Sequence, residues 1–98
     1  MGSRMGSISS NVSGGSYAYR ASKSALNAIV KSLVIDVAEV CFVIVHPGRV
    51  ATALCNGVRE DNAMEPEEVL PALVALVEGC TLADSGRYVD RFGQDIAW

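Results

Sequence analysis

Tyr19 and Lys23 stand four positions apart at the start of the stretch SYAYRASKSALNAIVKSL. If that stretch is helical, residues four apart differ by about 40° around the axis and share one face. A lysine ammonium beside a tyrosine hydroxyl favours the phenolate, so the tyrosine can act as a general acid or base. The spacing alone also fits a tyrosine at the edge of a core, with the lysine stem lying along the apolar surface.

The helix that would position this pair is predicted over residues 17–39, where neither Gly nor Pro occurs. Apolar residues recur in it every three or four positions, as on one face of a helix: Leu26, Ile29, Val30, Leu33 and Val37. Most of these positions fall within about 40° of the direction of Tyr19. We therefore expect Tyr19 and Lys23 to extend the apolar stripe and to face the core or the rim of a cleft.

The segments on either side of this helix differ from it in pattern. Residues 1–16 are rich in Gly and Ser and are predicted to be a loop. Residues 40–48 form a continuous apolar run that is stopped by Pro47-Gly48, which is typical of a strand buried on both faces. Residues 49–64 are long and irregular, and we predict that they form a substrate loop.

A second helix, a last strand and a tail are predicted within residues 65–98. The helix pattern spans Pro66 to Gly79, and its Pro-Glu-Glu start suits the positive end of a helix dipole. The apolar stripe of this helix consists of Val69, Leu73, Leu76 and Val77. Pro71 either kinks the helix or delays its regular part until after Leu70. Arg87 to Asp90 are predicted to form the last strand.

The order helix, strand, helix, strand predicts α/β layering around a parallel sheet. Two strands are too few for a parallel sheet that is covered on both faces. With 98 residues the chain is long enough for one small domain. We therefore expect a single partial domain, the second half of a larger fold.

Composition excludes several classes of function. The net charge of −3 argues against general nucleic-acid binding, which needs a basic face. No apolar run approaches the length of a membrane span. Three irregularly spaced cysteines (Cys41, Cys55 and Cys80) and a single histidine, His46, do not make a metal site. We expect a cytoplasmic chain with reduced thiols.

Several motifs together resemble one protein family. The segment YRASKSALN resembles the Tyr-x-x-x-Lys active-site segment of the short-chain dehydrogenases/reductases. In the order of that family, SRMGSIS resembles the strand end with the catalytic serine, and HPGRVAT resembles the Pro-Gly loop beside the nicotinamide. The ending GRYVDRFGQDIAW resembles the last strand and tail, and the subgroup that is most similar is the C-factor/sniffer-type carbonyl reductases. The resemblance implies the C-terminal part of a Rossmann-like, doubly wound parallel sheet.

The resemblance also implies roles for particular residues. Tyr19 would donate the proton to a carbonyl, Lys23 would hold the ribose hydroxyls of the cofactor, and Ser3 would hydrogen-bond the substrate oxygen. Ser7 is the alternative to Ser3. The nicotinamide site would be shaped by four residues of the Pro-Gly loop: Pro47, Gly48, Val50 and Thr52.

By this resemblance the function is NAD- or NADP-dependent interconversion of a small carbonyl compound and an alcohol. Three departures weigh against an independent enzyme. The Gly-rich dinucleotide loop and the asparagine of the family's active site do not occur in the sequence. The link between helix and strand is about two residues shorter than in the family, which predicts a shortened helix end or a shifted strand start.

We therefore expect a chain that lacks the dinucleotide-binding half and is inactive by itself. The other hypothesis is a non-catalytic module derived from the same family. Such a module would form a homo-oligomer, or pair with another chain, through the Tyr/Lys helix or an open sheet edge, because unpaired edges associate.

Overall fold

The computed structural model describes residues 1–50 and 64–98. Helices and strands alternate along these residues, as predicted. They are helix α1 (Tyr17–Asp36), strand β1 (Ile44–His46), helix α2 (Pro66–Gly79) and strand β2 (Tyr88–Asp90), with short 3-10 turns at Arg4–Gly6 and Leu82–Asp84. This order confirms the α/β fold class. The segment 1–16, predicted to be loop throughout, contains the Arg4–Gly6 turn, here called the N-terminal turn.

The two strands form a parallel sheet in which Ile44 pairs with Tyr88 and His46 with Asp90. Ile44 and Val45 are both buried, as are Tyr88 and Val89. Because neighbouring residues of a strand point to opposite faces, the sheet is covered on both sides. The continuous apolar run predicted this burial.

The short connection between α1 and β1 predicted a shortened helix end or a shifted strand start, and both occur. Helix α1 ends earlier, and strand β1 begins later, than predicted. The prediction that α1 reaches residue 39 is wrong: Val37 leaves the helical conformation, and its N–H closes the last turn on Leu33. The strand predicted from Val40 up to the Pro47-Gly48 stop ends at His46 as predicted, but the prediction of its start is wrong, because β1 begins only at Ile44. Phe42 hydrogen-bonds the turn before β2, through its N–H to the Ser85 hydroxyl and its carbonyl to Gly86 N–H. Residues 40–43 therefore precede the sheet.

The apolar stripe of α1 is half-buried, with one exception. Leu26 and Val30 are partly covered, whereas Ile29 is 59 % exposed. Ile29 lies about 80° from the direction of Tyr19, on the side away from the buried Asn27. Its assignment to the buried stripe is therefore wrong.

Helix α2 begins where its charge pattern predicts. Glu65 and Glu68 form a reciprocal capping box around Pro66 at the first helical position. The helix continues through Pro71, so of the two alternatives predicted for this proline the delay of the regular part until after Leu70 does not occur. Val69 is buried, but Val77, predicted on the same stripe, is 66 % exposed.

The last strand begins at Tyr88 rather than at Arg87. Arg87 instead uses its guanidinium to bind Asp84 and Asp95 on either side of the strand. Of the two helices in the described part of the chain, neither is long and apolar enough to cross a membrane.

Candidate functional site

Tyr19 and Lys23 lie in the first two turns of α1 and share one face. The Lys23 ammonium is 5.9 Å from the centroid of the Tyr19 ring, and both residues are half-buried. Lys23 Nζ also donates a hydrogen bond to the main-chain oxygen of Met1, 3.4 Å away. The lysine therefore stands between the tyrosine and the N-terminal segment.

Arg20, which sequence reasoning missed, holds the loop that leads into α1. Ser16, which precedes the helix, has a positive φ of 50° and makes no side-chain cap. The Arg20 guanidinium instead binds the loop just before the helix, at Gly15 O (3.0 Å), Gly14 O (3.2 Å) and Ser13 Oγ (3.1 Å). Arg20 thus orders the backbone that leads to Tyr19. The sequence signal for this role was an arginine four residues after the Gly14-Gly15-Ser16 segment.

The N-terminal turn packs directly on α1 beside Lys23. A Cβ on Gly6 would lie 2.9 Å from the Lys23 carbonyl carbon and 3.0 Å from its carbonyl oxygen, so only glycine allows this approach. The Gly6 carbonyl accepts hydrogen bonds from Ser24 Oγ at 2.9 Å and from Asn27 Nδ2 at 3.4 Å. These contacts join the serine segment to the helix that carries the Tyr/Lys pair.

Ser3 is buried at the start of this turn. Its hydroxyl oxygen accepts a hydrogen bond from Met5 N–H at 3.2 Å. Its carbonyl accepts hydrogen bonds from Gly6 N–H, at 2.9 Å, and from the Tyr88 hydroxyl. Gly6 of the turn and Tyr88 of β2 therefore both bind the Ser3 carbonyl, although these two residues are distant in sequence.

Ser7, the alternative to Ser3, has a different environment. It is 1 % exposed, and its hydroxyl lies within hydrogen-bond distance of Ser10 Oγ and the main-chain oxygen of Trp98. Ser10 N–H in turn donates to Ser7 Oγ. The Ser7 hydroxyl thus ties the loop to the C-terminal tail, which makes Ser3 the better candidate for a substrate contact.

Tyr88 is a positioning residue that sequence reasoning did not single out. Its side chain is 2 % exposed, and its ring packs against Trp98 at 5.4 Å between centroids. Burial raises the pKa of the Tyr88 phenol, and a hydrogen bond from Asn27 partly opposes this rise. The phenol stays protonated and can donate to Ser3. An aromatic residue in a short final strand gives no sequence signal for this role.

His46 ends β1 and binds the N-terminal turn. Its Nδ1 accepts a hydrogen bond from Arg4 N–H at 3.1 Å, so the neutral ring carries its proton on Nε2. Burial lowers the pKa of His46, and the positive charges of Arg4 and Arg91 lower it further, while Asp90 opposes them. His46 is therefore a structural acceptor. Groups of three or more metal-ligating side chains are not found among residues 1–50 and 64–98.

The Pro47-Gly48 turn follows His46 directly. Gly48 has a positive φ of 85°, and a Cβ there would lie 2.1 Å from Arg91 Nη1. Arg91 Nη1 donates a hydrogen bond to the Pro47 carbonyl at 2.9 Å. Val50 forms a parallel bridge with Met64. Thr52, predicted to line the nicotinamide site, lies outside the described residues.

Comparison with known proteins identifies the family. No family model matches the chain. It is 37 % identical to C-signal of Myxococcus xanthus over 98 residues, 98 % of this chain and 57 % of that protein. The carbonyl reductase Sniffer of D. melanogaster superposes on 100 % of this chain and 39 % of its own, with a TM-score of 0.88 and 37 % identity.

A protein from Burkholderia multivorans, described as a short-chain dehydrogenase/reductase and solved with bound NADP, superposes with a TM-score of 0.79 at 34 % identity. The match covers 100 % of this chain and 42 % of that one. The chain belongs to the short-chain dehydrogenase/reductase family. This confirms the resemblance of the motifs, including the sniffer-like subgroup.

This short-chain dehydrogenase/reductase chain spans about half the length of C-signal and less of the solved structures. The family has a Rossmann-type α/β fold, and the two helices and the parallel pair of strands are consistent with part of such a fold. The catalytic and cofactor-binding roles of Tyr19, Lys23, Ser3 and the Pro-Gly turn stay predictions.

Proposed function

We propose that this chain contributes the proton-relay side of an oxidoreductase site for small carbonyl or alcohol compounds. The observation that carries the proposal is the packing of Gly6 on Lys23, which brings the segment of Ser3 to the helix of the Tyr/Lys pair. Tyr19 gives its proton to the carbonyl oxygen, Ser3 hydrogen-bonds that oxygen, and Lys23 favours the phenolate that remains. The similarity to the carbonyl reductase Sniffer supports this reaction class.

NADP or NAD is the proposed cofactor, with NADP favoured because the similar Burkholderia multivorans protein holds it. The donor chemistry of the Lys23 ammonium fits ribose hydroxyls, and the Pro47-Gly48 turn and Val50 lie at the end of β1, where ligands of open α/β sheets bind. When bound, the cofactor supplies the hydride. The sequence has no Gly-rich loop for the pyrophosphate, so these residues fit only the ribose and nicotinamide end.

The test is a titration of the chain with NADPH and NADH, followed by nicotinamide fluorescence and then by turnover of a small aldehyde. Binding that weakens in Lys23→Met, and any turnover that is lost in Tyr19→Phe while the urea midpoint stays unchanged, would support the proposed roles of the two residues. Tyr17→Phe, two positions away and 87 % exposed, is the matched control and should leave turnover unchanged. Turnover that survives in Tyr19→Phe would contradict the proposed proton donor.

The second candidate is a non-catalytic module that self-associates, and exposed apolar residues favour it. Tyr17, Ile29 and Ile35 on α1 are 87 %, 59 % and 69 % exposed. A partner helix or a second copy of this chain would remove this area from water, which stabilises the complex. Such a homo-oligomer is compatible with either function.

Sedimentation velocity distinguishes the two candidates. A chain that binds no nicotinamide cofactor but sediments as a dimer, and becomes a monomer in Ile35→Lys, supports the module. Leu82→Lys, at an exposed apolar position outside α1 (58 % exposed, against 69 % for Ile35), is the control. A monomer at all concentrations would rule out self-association. The thiols of Cys41 and Cys80 are free, which fits the cytoplasmic location that we propose.

A further inference from the structure

An open cavity of about 210 Å³ lies where β1 and β2 end. We call it the arginine groove, and its lining residues are Arg4, His46, Gly48, Arg49, Asp90, Arg91 and Phe92. Arg4 and Arg91 stand on either side of the groove, and Asp90 is the one carboxylate among its described lining residues, although the chain as a whole has a net charge of −3. A concentration of positive charge in a concave site of an acidic protein attracts anions.

Arg91 is held rigidly on one side of the groove. Its Nη1 bonds the Pro47 carbonyl, and its guanidinium carbon is 4.8 Å from the centroid of the Phe92 ring. Gly48 leaves space for this guanidinium, since a Cβ there would overlap Nη1. A guanidinium has five N–H donors, so these contacts occupy only part of the set.

Arg4 is held on another wall by Asp90. The two side chains approach to 3.6 Å between Arg4 Nη2 and Asp90 Oδ2, and the Arg4 side chain is 50 % exposed. Asp90 is itself fixed, because its Oδ1 accepts hydrogen bonds from the N–H groups of Phe92 and Gln94. Asp90 thus anchors Arg4 and offsets its charge, and Arg91 adds a second guanidinium to the groove.

Two segments of the proposed oxidoreductase site border the groove, although Ser3, Tyr19 and Lys23 themselves are not among its lining residues. Arg4 directly follows Ser3, and its own N–H is bound by His46. Arg91 rests on the Pro47-Gly48 turn, which is predicted to border the nicotinamide. An anionic group held by the two arginines would therefore lie beside the N-terminal turn, which follows Ser3, and beside the Pro-Gly turn.

We propose that the arginine groove binds a carboxylate or phosphate group of the substrate, so that the substrate class is carbonyl compounds with an anionic end. The identification of the anion as part of a substrate rests on the proposed function. The anion site itself is inferred from the geometry of the groove. Guanidinium groups suit this task, because their planar fork matches the oxygens of a carboxylate or phosphate.

The first experiment titrates the full 15N-labelled chain with pyruvate and with its uncharged analogue pyruvamide at constant ionic strength. The arginine Nε–H signals are followed by NMR. We expect saturable shifts with pyruvate only. Arg91→Gln and Arg4→Gln should each weaken pyruvate binding about tenfold, because each removes a charge-assisted hydrogen bond.

Lys31→Gln is the control for charge, since Lys31 is an exposed residue of α1 and the substitution removes the same unit charge. We expect it to change pyruvate binding by less than about twofold, because Lys31 does not line the groove and salt screens charges that are exposed to solvent. Arg91→Lys keeps the positive charge but loses the planar guanidinium. Its affinity for pyruvate should therefore lie between those of the parent chain and Arg91→Gln. Equal shifts with pyruvamide, or an equal loss in Lys31→Gln, would overturn the proposal.

A second titration separates the possible sources of the anion. NADPH that binds more tightly than NADH only when Arg4 and Arg91 are intact would assign the groove to the cofactor's extra phosphate and overturn the substrate assignment. Pyruvate binding that needs both arginines, in a chain that binds neither cofactor, would uphold the anion site and refute only the proposed oxidoreductase.

Discussion

The contact between the N-terminal turn and α1 is neutral and closely packed, whereas the arginine groove is open and charged. The same turn takes part in both: Gly6 packs on the Lys23 backbone, and Arg4 reaches Asp90 on β2. The first contact depends on glycine and on hydrogen bonds to one buried carbonyl. The second leaves charged groups accessible. The difference indicates that the first region supports the fold and that the second is available to a ligand.

Gly6→Ala should have the largest effect on stability. The added Cβ would meet the carbonyl carbon and oxygen of Lys23, and helix backbone cannot rotate away as a side chain could. We expect a loss of about 2 kcal/mol in the free energy of unfolding, as for other overpacked sites, measured by urea denaturation.

Gly79→Ala is the matched control, because nothing lies within 4 Å of a Cβ at the end of α2. It should be neutral or raise stability by up to about 1 kcal/mol, because alanine favours helix. Equal effects of the two substitutions would show that the turn does not pack on α1.

Tyr88→Phe should have the next largest effect. It removes the hydroxyl that donates to the Ser3 carbonyl inside the protein, which should cost about 1 to 2 kcal/mol. Any turnover that the chain shows should fall along with stability, because Ser3 loses part of its support. Tyr17→Phe removes the same atom from a ring that is 87 % exposed and should change neither quantity. A Tyr88→Phe variant as stable as the parent would disprove this role.

The pH dependence of stability should report His46, the only histidine of the chain. Its pKa is lowered in the fold by burial and by the adjacent arginines, so the folded state prefers the neutral ring. The unfolded chain takes up a proton as the pH falls through about 6.5, while the folded chain resists it. Stability should therefore be full above this value and decrease below it.

Urea midpoints between about pH 7.5 and about pH 5.5 cover this window. His46→Gln should flatten the curve there, since the amide does not titrate. Asp84 does not titrate in this window. The hydrogen bond from the Thr81 backbone is the largest cause that lowers its pKa, so its contribution to stability is lost only below its ordinary pKa of 3.8. A slope that persists in His46→Gln would assign the effect to other groups.

Arg4→Gln should have the smallest effect on stability. The Arg4–Asp90 pair is half-exposed on the arginine side, and such pairs contribute at most about 1 kcal/mol. Asp90 keeps its two backbone hydrogen bonds without it. A stability loss as large as that of Gly6→Ala would mean that the groove supports the fold, and the contrast between the two regions would disappear.

Much of the fold could be predicted, because local patterns encode it. The three-to-four spacing in residues 17–36 predicted α1, and the glutamates around Pro66 predicted the start of α2. The boundaries between α1 and β1 were predicted wrongly, since residues near Phe42 bind the turn at Ser85, more than forty positions later. Such a contact has no local pattern.

The sequence by itself determined the alternation of helices and strands, the common face of Tyr19 and Lys23, and the family. These follow from spacing along one segment and from motifs in a fixed order. Only the tertiary structure decided that Gly6 packs on Lys23, that Tyr88 holds Ser3, and that Arg91 rests on Gly48. The physical reason is that each of these contacts joins segments distant in sequence, whose approach depends on the packing of the whole chain.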